Sequence, residues 1–200
     1  ATELLEQAGL LVDPGFDFLG NDPDTAEEAN GLDDDGDGQV DEGFGHGTFV
    51  ASLVLAIAPG ARIVPLRVLD SDAVGTASTL AAAITHAADL GVQVINLSAG
   101  MPSEVRVVKE AVASARQRGV IVVTAAGNTG LEDVSFPAAI SDAEAVTSVD
   151  PADVKAPFAS FGGDVDLSAP GVDLVGAFPA GGGTAHWSGT SFSAALVSGS

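Results

Sequence analysis

Short apolar runs alternate with longer stretches of small residues along most of the chain. The runs at 61–69, 92–97, 120–124 and 145–149 are bounded by turn residues, which predicts strands. The stretches at 47–58, 79–90 and 104–118 are longer, and glycine follows the last two of them, which predicts helices. The segment from Ser191 onward is also predicted to be helical.

The order of these elements predicts an α/β fold with three layers. Strands that are joined through helices form a parallel sheet with right-handed crossovers, and the helices then cover both of its faces. Binding sites in such sheets lie at the carboxyl ends of the strands. We therefore expect chemistry at residues 98–100 and 126–128, each of which follows a predicted strand.

Two segments interrupt this alternation. Residues 20–45 are polar and are predicted to form a long loop, which inside a compact domain is usually functional. Residues 156–189 are rich in glycine and proline and lead into the final helix. The pattern does not call for a second hydrophobic core, so residues 1–200 are expected to form a single domain.

The charge balance narrows the possible partners. The chain has 28 acidic and 7 basic residues, a formal net charge of −21. Such a charge repels phosphate backbones and anionic membrane surfaces, and it favours the binding of cations. No apolar run is long enough to span a bilayer, and the lack of cysteine excludes disulfides and thiol catalysis. We therefore expect neither nucleic acid nor a membrane as a partner.

A serine is the first candidate for catalysis. Ser191 follows a glycine and a threonine at the predicted start of a helix made of small residues. Its hydroxyl is expected to be accessible there, and neighbouring backbone N–H groups can stabilise developing negative charge. The competing interpretation is a helix N-cap, for which serine is a favoured residue.

Two further residues belong to the same hypothesis. His46 lies between two glycines at a predicted loop-to-helix boundary, where its imidazole can be reached; it is a candidate general base, or else a helix cap or core residue. Asn128 follows the end of a predicted strand and has an amide that can donate to an oxyanion, although an ordinary Asn-Gly turn would look similar. Taken one at a time, none of the three residues decides the question.

Together, the three candidates occur in the order His, Asn, Ser within five short blocks. The blocks are His-Gly-Thr at 46–48, Val-Ile-Asn-Leu-Ser-Ala-Gly at 94–100, Ala-Gly-Asn at 126–128, Ser-Ala-Pro-Gly at 168–171 and Gly-Thr-Ser at 189–191. Their order and spacing resemble the landmarks of the subtilisin-like serine proteases, the subtilases. The resemblance extends over nearly the whole chain and implies a three-layer subtilisin-like fold.

The resemblance also implies a function, the cleavage of internal peptide bonds in proteins or peptides. In that mechanism His46 is the general base, Ser191 is the nucleophile that forms an acyl-enzyme, and Asn128 contributes to the oxyanion hole. Ser98, Ala99 and Gly100 would line the substrate cleft, where the chain pairs with an extended peptide. We expect a monomeric enzyme that is secreted, with its export signal outside these residues.

One part of the family pattern is absent, the catalytic aspartate in an Asp-Thr-Gly or Asp-Ser-Gly turn ahead of the histidine. Neither tripeptide precedes His46, and neither Asp13 nor Asp17 is followed by a small residue and a glycine. We therefore expect that the chain is a catalytic domain truncated at both ends, with the first strand and its aspartate missing. Without that carboxylate, activity should fall about 10⁴-fold.

The polar loop contains a candidate calcium site. Carboxylates alternate at Asp33, Asp35 and Asp37, and they are followed by a glycine, Gln39 and Asp41. Hard oxygen ligands at this spacing suit Ca²⁺ in a structural role. The segment resembles an EF-hand loop through nine positions, but Phe44 replaces the glutamate expected at the twelfth. A calcium loop of another geometry and a solvated acidic loop both remain open.

Two alternative functions remain. An inactive subtilase-like domain used for binding or scaffolding would also lack the aspartate, and the parent sequence ahead of the chain distinguishes the two possibilities. An esterase of the α/β-hydrolase class needs a Gly-x-Ser-x-Gly elbow with its histidine after the serine. Here Ser193 occupies the fifth position of that motif and His46 comes before Ser191, which argues against the esterase.

Overall fold

The computed structural model describes residues 14–33, 35–179 and 183–200. Asp13 and most of the segment ahead of residue 18 therefore lie outside the described residues. The described residues form four helices: α1 (His46–Ile57), α2 (Ala77–Leu90), α3 (Arg106–Gln117) and α4 (Thr190–Ser198). The predicted helices at 47–58, 79–90 and 104–118 and the predicted final helix are confirmed, with shifts of no more than two residues at their ends.

In the part of the chain that the structure describes, eight strands form three sheets. The strands are β1 (Phe16–Asp17), β2 (Leu66–Arg67), β3 (Val94–Leu97), β4 (Ile121–Ala125), β5 (Glu144–Val149), β6 (Leu167–Pro170), β7 (Leu174–Phe178) and β8 (Gly183–Trp187). Strands β3, β4, β5 and β6 form a four-stranded sheet in that order, and all of its pairs are parallel. Strands β1 and β2 form a second parallel pair, and β7 and β8 form an antiparallel hairpin.

Two sequence expectations need correction. Within the described residues, the strand predicted at 61–69 is reduced to Leu66–Arg67, which pair with β1, and to an isolated bridge residue at Ile63. The Gly- and Pro-rich segment 156–189 contains three strands, β6 to β8, which its amino-acid composition did not predict. Proline is tolerated at the end of a strand, and the side chains of β7 and β8 do not alternate cleanly between buried and exposed.

The expected three-layer α/β architecture is present, and strand β4 shows why. Val122 packs into a cluster with helices α2 and α3, whereas Val123 and Ala125 pack into a second cluster that includes Ala194 of α4. Neighbouring residues of a strand point to opposite faces, so the two helix groups lie on opposite sides of the sheet.

None of the helices formed by the described residues is long and apolar enough to cross a membrane.

The two parallel sheets share a core but are not joined. Leu66 of β2 and nearby Val68 pack against the same apolar cluster as Ile95 and Leu97 of β3. Within the described residues, however, β2 pairs only with β1, and β3 pairs only with β4. Among the described strands, each of these two therefore has a hydrogen-bonded neighbour on one edge only.

Candidate active site

Helix α1 presents His46 at its first position. The residue before it, Gly45, has a φ of 87°, which glycine adopts without strain. A Cβ atom at Gly45 would also lie 2.4 Å from the ring of Phe178. A larger residue at 45 would therefore strain the turn and displace the hairpin β7–β8, so the glycine ahead of the histidine fixes how the helix begins.

The imidazole of His46 rests on aromatic rings. Its ring centroid lies 5.6 Å from that of Phe192 and 6.3 Å from that of Trp187, and Phe49 packs beneath at 4.6 Å from Phe192. Burial in this apolar setting lowers the pKa of His46, and the negative charge of Glu27 acts in the opposite direction. The histidine is therefore favoured in the neutral form, which a general base needs.

Ser191 is the second residue of α4, and polar contacts on two sides fix that helix. On the β3 side, the Ser98 hydroxyl donates to the Ser191 carbonyl oxygen at 2.8 Å, and it accepts from the Asn96 amide at 2.9 Å. On the other side, the buried Ser193 hydroxyl donates to the carbonyl oxygen of Ala169 at 3.0 Å. The position of Ser191 is thus set by the ends of the sheet strands.

The Asn128 side chain is held in one orientation. Its Oδ1 accepts from the Thr190 amide at 2.9 Å and from the Thr190 hydroxyl at 3.0 Å. The Thr190 hydroxyl in turn accepts from the Gly127 amide at 3.1 Å. Because the oxygen is occupied in this way, the Nδ2 group of Asn128 is left to donate elsewhere.

Two adjoining clefts meet at Asn128 and Ser191. The first, about 180 Å³, brings both residues together with His46, Trp187 and Glu42. The second, about 410 Å³, is lined by the segments 98–102 and 133–135 and by the 125–129 turn. The structure therefore brings the predicted residues His46, Asn128 and Ser191 to one place, with Ser98, Ala99 and Gly100 along the wall of the neighbouring cleft.

The serine and the histidine are not hydrogen-bonded to each other. The Ser191 hydroxyl instead donates to the Ser98 carbonyl oxygen over a long 3.5 Å. Nor does any described carboxylate accept a hydrogen bond from the His46 ring; Asp17 is engaged in an ion pair of 2.8 Å with Arg67. Such loose contacts are common in active sites without substrate, and they tighten when the reacting groups are in place.

Two site residues were missed by sequence reasoning. Thr190 lay inside the quoted Gly-Thr-Ser block, but its bonds to Asn128 depend on two segments 62 residues apart. Glu27 comes from the polar loop, and its carboxylate accepts from the Thr48 amide at 2.9 Å in the first turn of α1. No sequence signal pointed to Glu27, because one glutamate among many acidic residues carries no pattern.

The acidic loop brings three of its five candidate ligands together. Asp33, Asp35 and Asp37 each offer a carboxylate oxygen, and these atoms lie within 4.8 Å of one another. Hydrogen bonds from the Gln39 side chain and backbone lower the pKa of Asp37, which keeps that carboxylate ionised. Three clustered carboxylates fit a hard cation such as Ca²⁺.

The other two candidates lie differently. Asp41 accepts from the backbone amides of Asn30 and Gly31, both at 2.8 Å, so its two oxygens close the loop. The Gln39 amide donates to Asp37 at 2.9 Å, which leaves its carbonyl oxygen available. In this arrangement Asp41 joins the two ends of the loop through hydrogen bonds, and the Gln39 side chain is hydrogen-bonded to Asp37.

Comparison with known proteins gives a consistent result. The family model described as the subtilase family, Peptidase_S8, matches residues 12–200. Subtilisin BL from Lederbergia lenta is 37% identical over 173 residues, which are 82% of this chain and 64% of that protein. Thermitase from Thermoactinomyces vulgaris is 38% identical over 194 residues, 90% of this chain and 69% of that protein.

The solved structures agree with the sequence relatives. A cold-adapted subtilisin-like serine proteinase superposes with a TM-score of 0.82 at 30% identity, over 96% of this chain and 66% of that one. The protease domain of PatA, as an S218A mutant, superposes with a TM-score of 0.77 at 31% identity, over 94% of this chain and 68% of that one. The chain spans 64% of the length of Subtilisin BL and 45% of an alkaline protease from Shouchella clausii.

Proposed function

The chain belongs to the subtilase family, and on that premise we propose that it is a catalytic domain of a serine endopeptidase that hydrolyses internal peptide bonds in proteins. The observation that carries the proposal is the convergence of His46, Ser191 and Asn128 on one cleft. A base, a nucleophile and an oriented amide donor are the groups that acyl transfer requires.

The proposed reaction proceeds in two halves. His46 takes the proton from the Ser191 hydroxyl while that oxygen attacks the peptide carbonyl carbon and forms a tetrahedral intermediate. The negative oxygen accepts from Asn128 Nδ2 and from the Ser191 backbone N–H, which lies in the first turn of α4, where amides have no intrahelical acceptor. His46 then protonates the leaving amine, and water releases the acyl group from Ser191 by the reverse steps.

The larger cleft is the proposed site for the substrate chain. Residues 98–100 follow β3 directly and line this cleft, which Asn128 and Ser191 border at one end. An extended peptide laid against this segment would bring one of its carbonyl groups to Ser191. The cleft volume of about 410 Å³ is large enough for a side chain next to the scissile bond.

We further propose that the carboxylate that orients His46 comes from a strand between β2 and β3. Each of these two strands pairs in parallel with its neighbour, and both pack on the same apolar cluster. Within the described residues, each has a hydrogen-bonded strand on one edge only. A parallel strand placed there would end at the same sheet edge as residues 98–100. The parent gene is expected to encode Asp-Thr-Gly or Asp-Ser-Gly in that strand.

An inactive binding domain is the alternative. The observation in its favour is that the Ser191 hydroxyl contacts Ser98 rather than His46, with no described carboxylate bonded to the imidazole. Parent sequence without either tripeptide would support this alternative. Secretion and a monomeric state remain predictions that rest on the family resemblance, and the net charge of −21 argues against nucleic-acid partners.

Covalent labelling tests the proposal directly. A fluorophosphonate probe is expected to label the folded full-length protein on the peptide that contains Ser191, because only an activated hydroxyl displaces fluoride from phosphorus. Mass spectrometry of the digested protein identifies the modified residue. Ser191→Ala should abolish labelling. The matched control is Ser188→Ala, which removes another hydroxyl of the same cleft and should still label.

The outcome separates the two candidate functions. Labelling confined to Ser191, together with cleavage of casein, supports the endopeptidase. A folded full-length protein that does not label contradicts the proposed enzyme and favours the binding domain. Labelling of Ser188 in place of Ser191 would show that the nucleophile was assigned wrongly.

We propose that the acidic loop binds Ca²⁺ through Asp33, Asp35 and Asp37, with Gln39 and the more distant Asp41 shaping the loop. The support is the spacing of the three carboxylate oxygens, within 4.8 Å, and the absence of any lysine or arginine among residues 20–45. The mutual repulsion of these carboxylates is relieved when a divalent cation binds. The ion is expected to have a structural role.

Removal of calcium is expected to lower the thermal midpoint of the full-length protein by about 5 to 10 °C. Free calcium at about 100 times its Kd stabilises a folded state by about 2.7 kcal/mol, and each kcal/mol shifts Tm by about 2–4 °C at this domain size. Differential scanning fluorimetry with and without EGTA gives the shift. Asp35→Asn combined with Asp37→Asn should remove most of it, whereas the exposed control Asp164→Asn should not. An undiminished shift in the double variant would place the calcium elsewhere.

A further inference from the structure

The first turn of α1 is capped from outside the helix. Gly45 is the N-cap and has no side chain to offer, so the helix has no cap of its own. The Glu27 carboxylate takes that position from 18 residues upstream. Its Oε2 accepts from the Gly45 amide, and its Oε1 accepts from the Thr48 amide at 2.9 Å and the Thr48 hydroxyl at 3.0 Å.

These contacts enclose the histidine. The amides that Glu27 binds belong to residues on either side of His46. Gly47, the second residue of α1, is so close that a Cβ atom there would lie 3.0 Å from Glu27 Oε1. The backbone that carries the imidazole therefore cannot shift unless it loses hydrogen bonds to a carboxylate, which are about twice as strong as neutral ones.

The charge of Glu27 also affects the pKa of His46. Burial lowers the pKa of His46, and the Glu27 charge raises it. Among the described residues, the other charged groups near His46 are few. Glu42 lines the same cleft, and the neighbouring elements α4 and β7 carry no charged residue. On β8, His186 is paired with Asp173 at 3.0 Å. A negative charge beside the ring favours the imidazolium that forms as Ser191 gives up its proton.

We infer that Glu27 is a positioning residue for His46, which fixes the first turn of α1 and supplies negative charge beside the imidazole. The inference rests on the proposed endopeptidase function and extends it to a residue outside the five sequence blocks. Glu27 touches neither the substrate nor the reacting atoms. Glu27 acts on the reaction in two ways. It holds the backbone of residues 45–48 in place, and its negative charge acts electrostatically on the imidazole of His46.

Two substitutions separate these effects. Glu27→Gln keeps the size of the side chain and one acceptor oxygen but removes the charge and sets an amide against a backbone donor. It is expected to lower kcat about tenfold, with KM little changed, because a displacement of about 1 Å in the catalytic groups costs up to about 10²-fold. Glu27→Asp keeps the charge at shorter reach and should recover part of kcat.

The pH profile supplies a readout that a merely structural role would not move. Without the negative charge, the pKa of His46 falls, so the acidic limb of kcat/KM should shift to lower pH in Glu27→Gln. In Glu27→Asp the limb should stay near that of the parent. The matched control is Glu28→Gln, which removes a charge from the adjacent exposed position and should change neither kcat nor the limb.

The experiment uses the full-length protein and measures fluorophosphonate labelling rates from pH 4 to 9 beside peptide turnover. Only folded molecules label, so the rate per labelled site remains valid if a variant is destabilised. Equal rates and equal limbs in Glu27→Gln and Glu28→Gln would overturn the inference while the endopeptidase stands. A parent that does not label would overturn the proposed function, and the inference with it.

Discussion

Replacing His46 by alanine is expected to lower kcat of the full-length protein about 10⁶-fold. In the proposed mechanism the imidazole both removes the Ser191 proton and returns a proton to the leaving amine, so its loss would disable both halves of the reaction. The figure is the fall known for the same change in subtilisin, a relative of this chain, and is borrowed from it. Turnover of a chromogenic peptide, with active sites counted by titration, measures the effect.

The double variant His46→Ala with Ser191→Ala makes the test specific. Residues that act as one unit are not additive, so the second change should lower kcat little further. His186→Ala is the matched control, because that exposed histidine on β8 contacts Asp173 outside the cleft. Retained turnover in His46→Ala, or a large further loss in the double variant, would contradict the proposed pairing of base and nucleophile.

Replacing Asn128 by aspartate is expected to lower kcat by at least about 10² to 10³-fold, while KM changes little. The new carboxylate can still accept from the Thr190 amide and hydroxyl, so the local structure is kept. It replaces the Nδ2 donor by an acceptor, and in the proposed mechanism that donor stabilises charge which develops only in the transition state. The magnitude again comes from subtilisin, in which an asparagine has this function.

A second variant tests whether orientation matters. Thr190→Val removes the hydroxyl that holds Asn128 Oδ1 at 3.0 Å but leaves the backbone bond at 2.9 Å. Its kcat should fall less than that of Asn128→Asp, because the amide donor is retained but is held by one bond. Steady-state kinetics of both variants gives the comparison. An unchanged kcat in Asn128→Asp would remove Asn128 from the oxyanion site.

Most of the layered fold was predictable because helices and buried parallel strands leave periodic patterns in sequence. The sheet strands β3, β4 and β5 were recognised from apolar runs, and the parallel pairing of β3 with β4 followed from helix α3 between them, whereas no helix lies between β4 and β5. Strands β6 to β8 were not recognised, since turn-forming residues surround them. Strand β6 packs against α4, and β7 packs against α1, which lies in the N-terminal half of the chain.

The candidate site was predictable where the residues themselves form motifs. His46, Asn128 and Ser191 stand in recognisable blocks, and the structure gathers them around one cleft. Thr190 and Glu27 act through hydrogen bonds that span 62 and 21 residues, and no local pattern encodes such bonds. The acidic loop was predictable in composition, but the separate position of Asp41 depends on its contacts with Asn30 and Gly31.

The contacts that fix Ser191 also determine when in folding the site can exist. Ser98 reaches the Ser191 carbonyl across 93 residues, and Ser198 reaches Asn96 across 102. Loops of that length must close before such bonds form, and chains dominated by distant contacts fold slowly. We therefore expect helix α4 to dock late in folding, after the sheet has assembled. With Ser191 as the proposed nucleophile, a partly folded chain would then lack the site with which to cut its neighbours.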